Sequence, residues 1–167
     1  GTQGASFYTV ANSVRYDTPN FDGFSAAVQV GLGEDKNAPI NPGRASRDTA
    51  FNVQYANGPL ALALAHGIYE TNNGANNLVP VRFTSTAVGG SYDFGMVKVF
   101  GTYQNMDSSV GGAPDVDVWT IGAAMPVFKA GSIGLTYGEQ DVNVSGVNNT
   151  DASAWNLTYT HSLSKRT

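Results

Sequence analysis

The chain has 167 residues with 9 Lys and Arg against 13 Asp and Glu, a formal net charge of -4, and only 13% charged residues. That is thin for a water-facing surface, and with no basic stripe it argues against nucleic acid as a partner. Cysteine is absent, which excludes a disulfide framework, a thiolate metal site and a cysteine nucleophile together.

Taken in chain order, the segments predicted as strands are 12–18, 24–34, 47–57, 60–70, 81–93, 96–105, 116–125, 132–141 and 153–163. Each is about ten residues of period-two alternation bounded by turn residues, and no helical block lies between them. The second is the clearest. In Phe24-Ser25-Ala26-Ala27-Val28-Gln29-Val30-Gly31-Leu32 the even positions are apolar and the odd ones small or polar, so this strand has one apolar and one wet face.

The same parity runs through the other segments. The apolar set includes Val14 and Tyr16, Phe24 and Val28, Phe51 and Tyr55, Leu60, Leu62 and Leu64, Val88 and Tyr92, Val99 and Tyr103, Trp119 and Ile121, Leu135 and Tyr137, and Trp155, Leu157 and Tyr159. The opposite face reads as uniformly small or polar: Ser13, Arg15, Asp17, Ser25, Gln29, Asn52, Gln54, Lys98, Thr102, Gln104, Thr136, Asn156 and Thr158. Those residues lack the volume and apolarity of a packed core.

Connections alternate strictly in length. Pro19 to Gly23, Asn57-Gly58-Pro59, Asp93-Phe94-Gly95 and Pro126 to Gly131 are tight, while 35–46, 71–80, 106–115 and 142–152 are long and rich in Asn, Gly, Asp and Ser. This is the pattern of an up-and-down meander whose two rims differ, not of a Greek-key sandwich. No run approaches the roughly 18 apolar residues of a spanning helix, but a transmembrane barrel escapes that test because half of each strand faces a polar lumen. The aromatic residues Tyr16, Phe24, Tyr55, Tyr103, Trp119, Tyr137, Trp155 and Tyr159 concentrate toward strand ends, as in the girdles that flank a lipid-facing band.

Asn12-Ser13-Val14-Arg15-Tyr16-Asp17-Thr18-Pro19-Asn20-Phe21-Asp22-Gly23-Phe24-Ser25 resembles the NSVRYDSPxFxGFS stretch of general-diffusion porins from Gram-negative outer membranes. Val53 to Leu60, Gly90 to Gly95, Val97 to Phe100 and Leu163 to Thr167 resemble the same family in the same order, so the likeness covers almost the whole chain. It implies an all-β, transmembrane, antiparallel up-and-down barrel of 16 strands, assembled as a homotrimer. The chain would supply about strands six to fourteen of a single domain spanning 1–167, with 1–11 as the tail of the constriction loop. The terminal Phe strand of the family is not in it. Gly1, with neither an initiator Met nor a leader-like segment, fits a processed or truncated product.

The resemblance also implies a water-filled channel for passive diffusion of small hydrophilic solutes and ions. Its neighbours would be membrane lipid and lipopolysaccharide, and it would need no cofactor or metal. Porins of this type place arginines at the constriction, and Arg15 matches such a position; the alternative is a structural arginine paired with Asp17. A fixed cation in a narrow pore favours anions, and Lys98, near the Asp93-Phe94-Gly95 turn, would line a wider vestibule. Ser13, Asp17, Gln29 and Gln54 complete the expected pore-lining set.

The carboxylates, including Glu34, Asp35, Glu70, Asp107, Asp117, Glu139 and Asp141, concentrate in the long connections and adjoining strand ends, where a solvated rim is expected. Divalent-cation binding there is a weaker reading, since no loop has EF-hand spacing. Arg82, on the apolar parity beside a long connection, could rise to meet lipid phosphates. His66 is the anomaly: parity with Leu60, Leu62 and Leu64 aims it at lipid unless a bulge flips the register.

No catalytic signature is present in the sequence. An outer-membrane enzyme of phospholipase type would need a Ser and His paired on the outer surface, with His66 the mid-strand candidate. A soluble β-sandwich adhesin or lectin would instead fold as a monomer without detergent.

Overall fold

A computed structural model describes residues 12–33, 47–72, 80–110, 113–128, 130–144 and 151–162. The expected constriction-loop tail at 1–11, together with Glu34 and Asp35, lies outside the described residues. Nine strands form: β1 (Ser13–Asp17), β2 (Phe24–Gly31), β3 (Arg47–Asn57), β4 (Leu60–Asn72), β5 (Pro80–Asp93), β6 (Lys98–Ser108), β7 (Asp115–Val127), β8 (Gly131–Asn143) and β9 (Ala152–His161). They make one sheet in chain order, β1 to β9, and every ladder is antiparallel. The sheet is therefore a meander with no crossover.

The two rims differ as the connection lengths predict. One is made by tight turns whose geometry is fixed locally. Gly23 has φ 97°, its N–H donates to Asn20 Oδ1 at 2.8 Å, and its carbonyl accepts the Ala56 N–H at 2.9 Å. A Cβ at this glycine would lie 2.7 Å from the Ala56 carbonyl oxygen. At the β5–β6 turn Asp93 Oδ1 accepts the Gly95 N–H at 2.7 Å, and Phe94 N–H donates to the Val97 carbonyl at 2.9 Å. That bond closes the turn, so β6 begins at Lys98 rather than at 96.

Register carries the parity across the sheet. Tyr16 lies opposite Val28, Val28 opposite Phe51, and Phe51 opposite His66. Leu64 lies opposite Val88, Val88 opposite Tyr103, and Tyr103 opposite Trp119. One continuous apolar face results. The β3–β4 ladder runs unbroken from Arg47↔Glu70 to Asn57↔Leu60, so no bulge flips His66, which stays on the apolar face.

This sheet has no core. Among the described residues only Ala27 and Val81 are buried apolar residues, and no large side chain is fully buried. Leu157 is 75% exposed and Trp155 70% exposed. A soluble β-sandwich needs a second sheet against the apolar face, and the described strands all belong to one sheet. An exposed apolar surface this continuous must meet something other than water.

The second face departs from the expected uniformity. Tyr69 and Phe83 stack on it with ring centroids 6.4 Å apart, Met106 lies on it opposite Ser85, and the Phe100 ring covers Gly122. These exceptions lie on β4 to β6, and Val116 and Val118 continue them on β7, so apolar residues occupy both parities there. A period-two scan has no contrast to detect in such a stretch.

Candidate functional site

Among the described residues, the expected pore-lining residues share the face opposite the apolar one. Arg15, Gln29 and Ala50 form one cross-strand row, and Ser25 and Gln54 form another. Small side chains leave this face low: Ala61, Ala63 and Ala65 follow one another along β4. A Cβ at Gly138 would come within 3.1 Å of the Thr120 methyl. Its polar groups satisfy one another sideways along the wall. Thr102 and Thr120 hydroxyls lie 2.6 Å apart, Gln104 Nε2 donates to Ser85 Oγ at 3.1 Å, and Thr158 Oγ1 donates to Asn156 Oδ1 at 2.7 Å. Gln54 Nε2 donates to Asn52 Oδ1 at 3.3 Å.

Charge on this face is sparse and mostly committed. The described residues place two cations, Arg15 and Lys98, against three carboxylates, Asp17, Asp48 and Asp93. Arg15 is clamped by Asp17: Nε lies 2.9 Å from Oδ2 and Nη2 lies 2.6 Å from Oδ1. Residues two apart in a strand share a face, so the sequence spacing permits this fork and β1 holds it. The paired alternative for Arg15 is the one observed. Asp48 accepts a long hydrogen bond from Gln29 Nε2 at 3.5 Å, and Asp93 holds its turn.

Lys98 is exposed at the tight-turn end of β6, opposite Asp93 in register, and among the described residues it makes no hydrogen bond or ion pair. It is the uncommitted cation of the wall. The sequence ranks it below Arg15 for its place near a turn, in a wider vestibule, and parity gives no sign of the pairing that occupies Arg15.

On the apolar face the aromatic residues fall into two rows. Nearer the tight turns, Phe24 and Tyr55 rings sit 4.4 Å apart and Tyr92 and Phe94 rings 4.6 Å apart. Tyr159 lies at the corresponding end of β9. Nearer the long connections, Trp119, Tyr137 and Trp155 form a chain of rings 5.4 and 4.6 Å apart. Tyr103 continues that row and donates its hydroxyl to Asp117 Oδ1 at 2.6 Å.

His66 lies in register with Phe51 on β3 and Thr86 on β5, one step toward the long connections from the row of Leu64, Val88 and Tyr103. Its ring is 5.6 Å from Phe51 and its Nδ1 is 2.8 Å from Thr86 Oγ1. A ring with an apolar body and a polar edge suits that position as an aromatic would. Phe94, in the tight-turn row, was missed by the sequence reading because it lies in a turn rather than a strand.

Beyond this row the apolar face turns polar. Asp107, Asp117, Glu139 and Asp141 occupy the outer ends of β6 to β8. Arg47, Glu70 and Arg82 form one cross-strand row on β3 to β5. No described group of His, Asp and Glu is arranged to hold a metal ion.

The model of the family described as Gram-negative porin matches residues 1–167. Outer membrane porin protein 32 of Delftia acidovorans is 32% identical over 160 residues, which cover 93% of this chain and 43% of that protein. An outer membrane porin protein of Bordetella pertussis is 31% identical over 140 residues, 79% of this chain and 34% of that one. Among solved structures, the anion-selective porin from Comamonas acidovorans superposes with a TM-score of 0.77 at 28% identity, over 92% of this chain and 45% of that one. OmpT of Vibrio cholerae in its trimer form, at 17% identity, shares the fold with a TM-score of 0.72, over 92% of this chain and 50% of that one. The chain spans less than half the length of the curated relatives it matches.

Proposed function

We propose, from the premise that the chain belongs to the Gram-negative porin family, that it forms part of the wall of a 16-stranded outer-membrane channel for passive diffusion of small hydrophilic solutes and ions. The observation that carries this reading is the core-less, two-faced meander. Its apolar face, bounded by two aromatic rows, meets lipid, and its face of small and polar residues lines water. Lipid can cover such a face without a second protein layer, whereas open strands in lipid must be closed into a barrel.

The channel has a modest anion preference. Lys98 supports this as a cation that no carboxylate holds at hydrogen-bond distance, its register partner Asp93 being engaged in its own turn, and the porin at 28% identity is named anion-selective. Arg15 contributes little while Asp17 holds it, since a charge and its neutraliser at contact distance present a dipole to a passing ion. Ser13, Gln29 and Gln54 offer neutral hydrogen-bonding groups to hydrated solutes. The whole protein is a homotrimer embedded in membrane lipid and lipopolysaccharide.

The catalytic alternative centres on His66. Its ring meets Thr86 and Phe51, and among the described residues no carboxylate orients it as a base. An interfacial anchor accounts for that environment more simply than a nucleophile pair.

Single-channel recording of the full-length protein in planar bilayers tests the reading. Stepwise conductance with an anion-biased reversal potential is the expected result. A folded, membrane-inserted protein that conducts nothing would overturn it.

A further inference from the structure

The face of small and polar residues carries two aromatic rings that a path for hydrated solutes does not require. Near the long connections, Asp48 on β3, Tyr69 on β4 and Phe83 on β5 lie side by side in one registered row. Partners directly across an antiparallel ladder hold their Cβ atoms roughly 5 Å apart, so the carboxylate adjoins one ring and that ring adjoins the next. The rings stack with centroids 6.4 Å apart and planes 25° apart, yet Tyr69 stays 39% and Phe83 45% exposed. In the next row toward mid-sheet, Met106 and its partner Val116 extend the apolar surface beside Phe83.

The carboxylate of this row keeps its charge. Its hydrogen-bond partner is the neutral amide of Gln29 at 3.5 Å, and among the described residues no cation pairs with it. Arg47, next in sequence, belongs to the other face by strand alternation, Arg15 is held by Asp17, and Lys98 stands at the far end of the wall, beside the β5–β6 turn. Ring faces carry the negative side of the aromatic quadrupole, so carboxylate and rings attract the same partner, a positive charge on an apolar body. A small hydrated cation would leave the rings uncovered, and an anion would meet the carboxylate.

We propose that Asp48, Tyr69 and Phe83 form a weak subsite for substituted ammonium ions bearing an aromatic or alkyl body. The inference rests on the porin reading, which places this face on the lumen and this end at the mouth with the long connections. The ammonium lies over the ring faces beside Asp48, and its body covers Phe83 and Met106. Binding is shallow, as a channel needs: strong enough to gather the solute and weak enough to release it. A wall that favours small anions near Lys98 thus retains bulky organic cations at its other end.

The test is block of single-channel current in the full-length protein, at low salt so that Asp48 is not screened. The probes are benzyltrimethylammonium, tetramethylammonium and benzenesulfonate, added on the side of the long connections. Benzyltrimethylammonium should block saturably, at a concentration roughly fivefold below tetramethylammonium, as an added ring contact implies. Asp48→Asn should raise its half-blocking concentration about fivefold through loss of the charge. Phe83→Leu and Tyr69→Leu, which keep an apolar side chain and remove the ring, should each raise it about threefold. Conductance steps in plain salt establish that each variant has inserted.

Equal block by tetramethylammonium would overturn the proposal, because it would leave the rings without a role. So would equal block by benzenesulfonate, or block unchanged in all inserted variants. A wild-type channel that conducts and is not blocked would remove the subsite and leave the channel reading standing, whereas a silent wild-type protein sinks the channel reading itself.

Discussion

Replacing Asp17 by Asn should make the pore more anion-selective although no cation is added. Arg15 Nη2 sits 2.6 Å from Asp17 Oδ1, so on the proposed channel reading an ion in the lumen meets nearly cancelling charges. Asparagine keeps the shape and one hydrogen-bond acceptor, so Arg15 stays in place with its charge exposed. For an ion about 8 Å away in water-like surroundings, a unit charge produces a potential close to RT. That is about twofold in local concentration for each sign of ion, and therefore roughly fivefold in the anion-to-cation ratio.

Ionic strength supplies the control. At 0.1 M salt the screening length is about 10 Å, which reduces the change to roughly twofold, and at 1 M it is about 3 Å, which abolishes it. The assay is the reversal potential of the full-length protein under a salt gradient, at mean concentrations near 0.01, 0.1 and 1 M. An Asp17→Asn channel with an unchanged reversal potential at the lowest salt would refute the claim that this carboxylate neutralises the lumen cation. A shift that persisted at 1 M would mean that pore geometry had changed rather than charge.

Lys98→Glu should move the reversal potential toward cations with the same salt dependence, and an unshifted potential at low salt would remove Lys98 from the lumen. Leu135→Arg places a charge in the middle of the lipid-facing band and should destabilise the inserted barrel by about 2–4 kcal/mol. Reversible urea titration in lipid vesicles measures this, and a value near zero would mean that Leu135 does not face hydrocarbon. Gly23→Ala should cost about 1–3 kcal/mol, because the left-handed backbone resists a side chain and its Cβ would press on the Ala56 carbonyl. The same titration reads this cost, and unchanged stability would show that the turn relaxes freely.

Much of this architecture was legible because period-two alternation and alternating connection lengths are local signals that a meander preserves. Every strand pairs with its neighbour in sequence, so Val28, Phe51 and Leu64 reach the apolar face without any long-range rule to infer. What stayed hidden was which side chain meets which. Arg15 and Asp17 share a parity in any strand, but only coordinates show the fork that removes their net charge. His66 looked anomalous because parity alone does not give neighbours, and it becomes ordinary once seated between the Phe51 ring and the Thr86 hydroxyl. The row of Arg47, Glu70 and Arg82 comes from three strands and two connections, so no single window of sequence displays it.

The chain-order ladders also bear on assembly. Each ladder closes between neighbouring strands, so hairpins can add one after another with little loop-closure entropy at any step. The exception is the seam that finally joins the two open edges. With nine described strands, β1 and β9 run in the same direction, and a second copy related by rotation about the barrel axis would present a parallel edge. An antiparallel closure therefore requires an odd number of intervening strands, and joining them is the slow, non-local step in forming the wall.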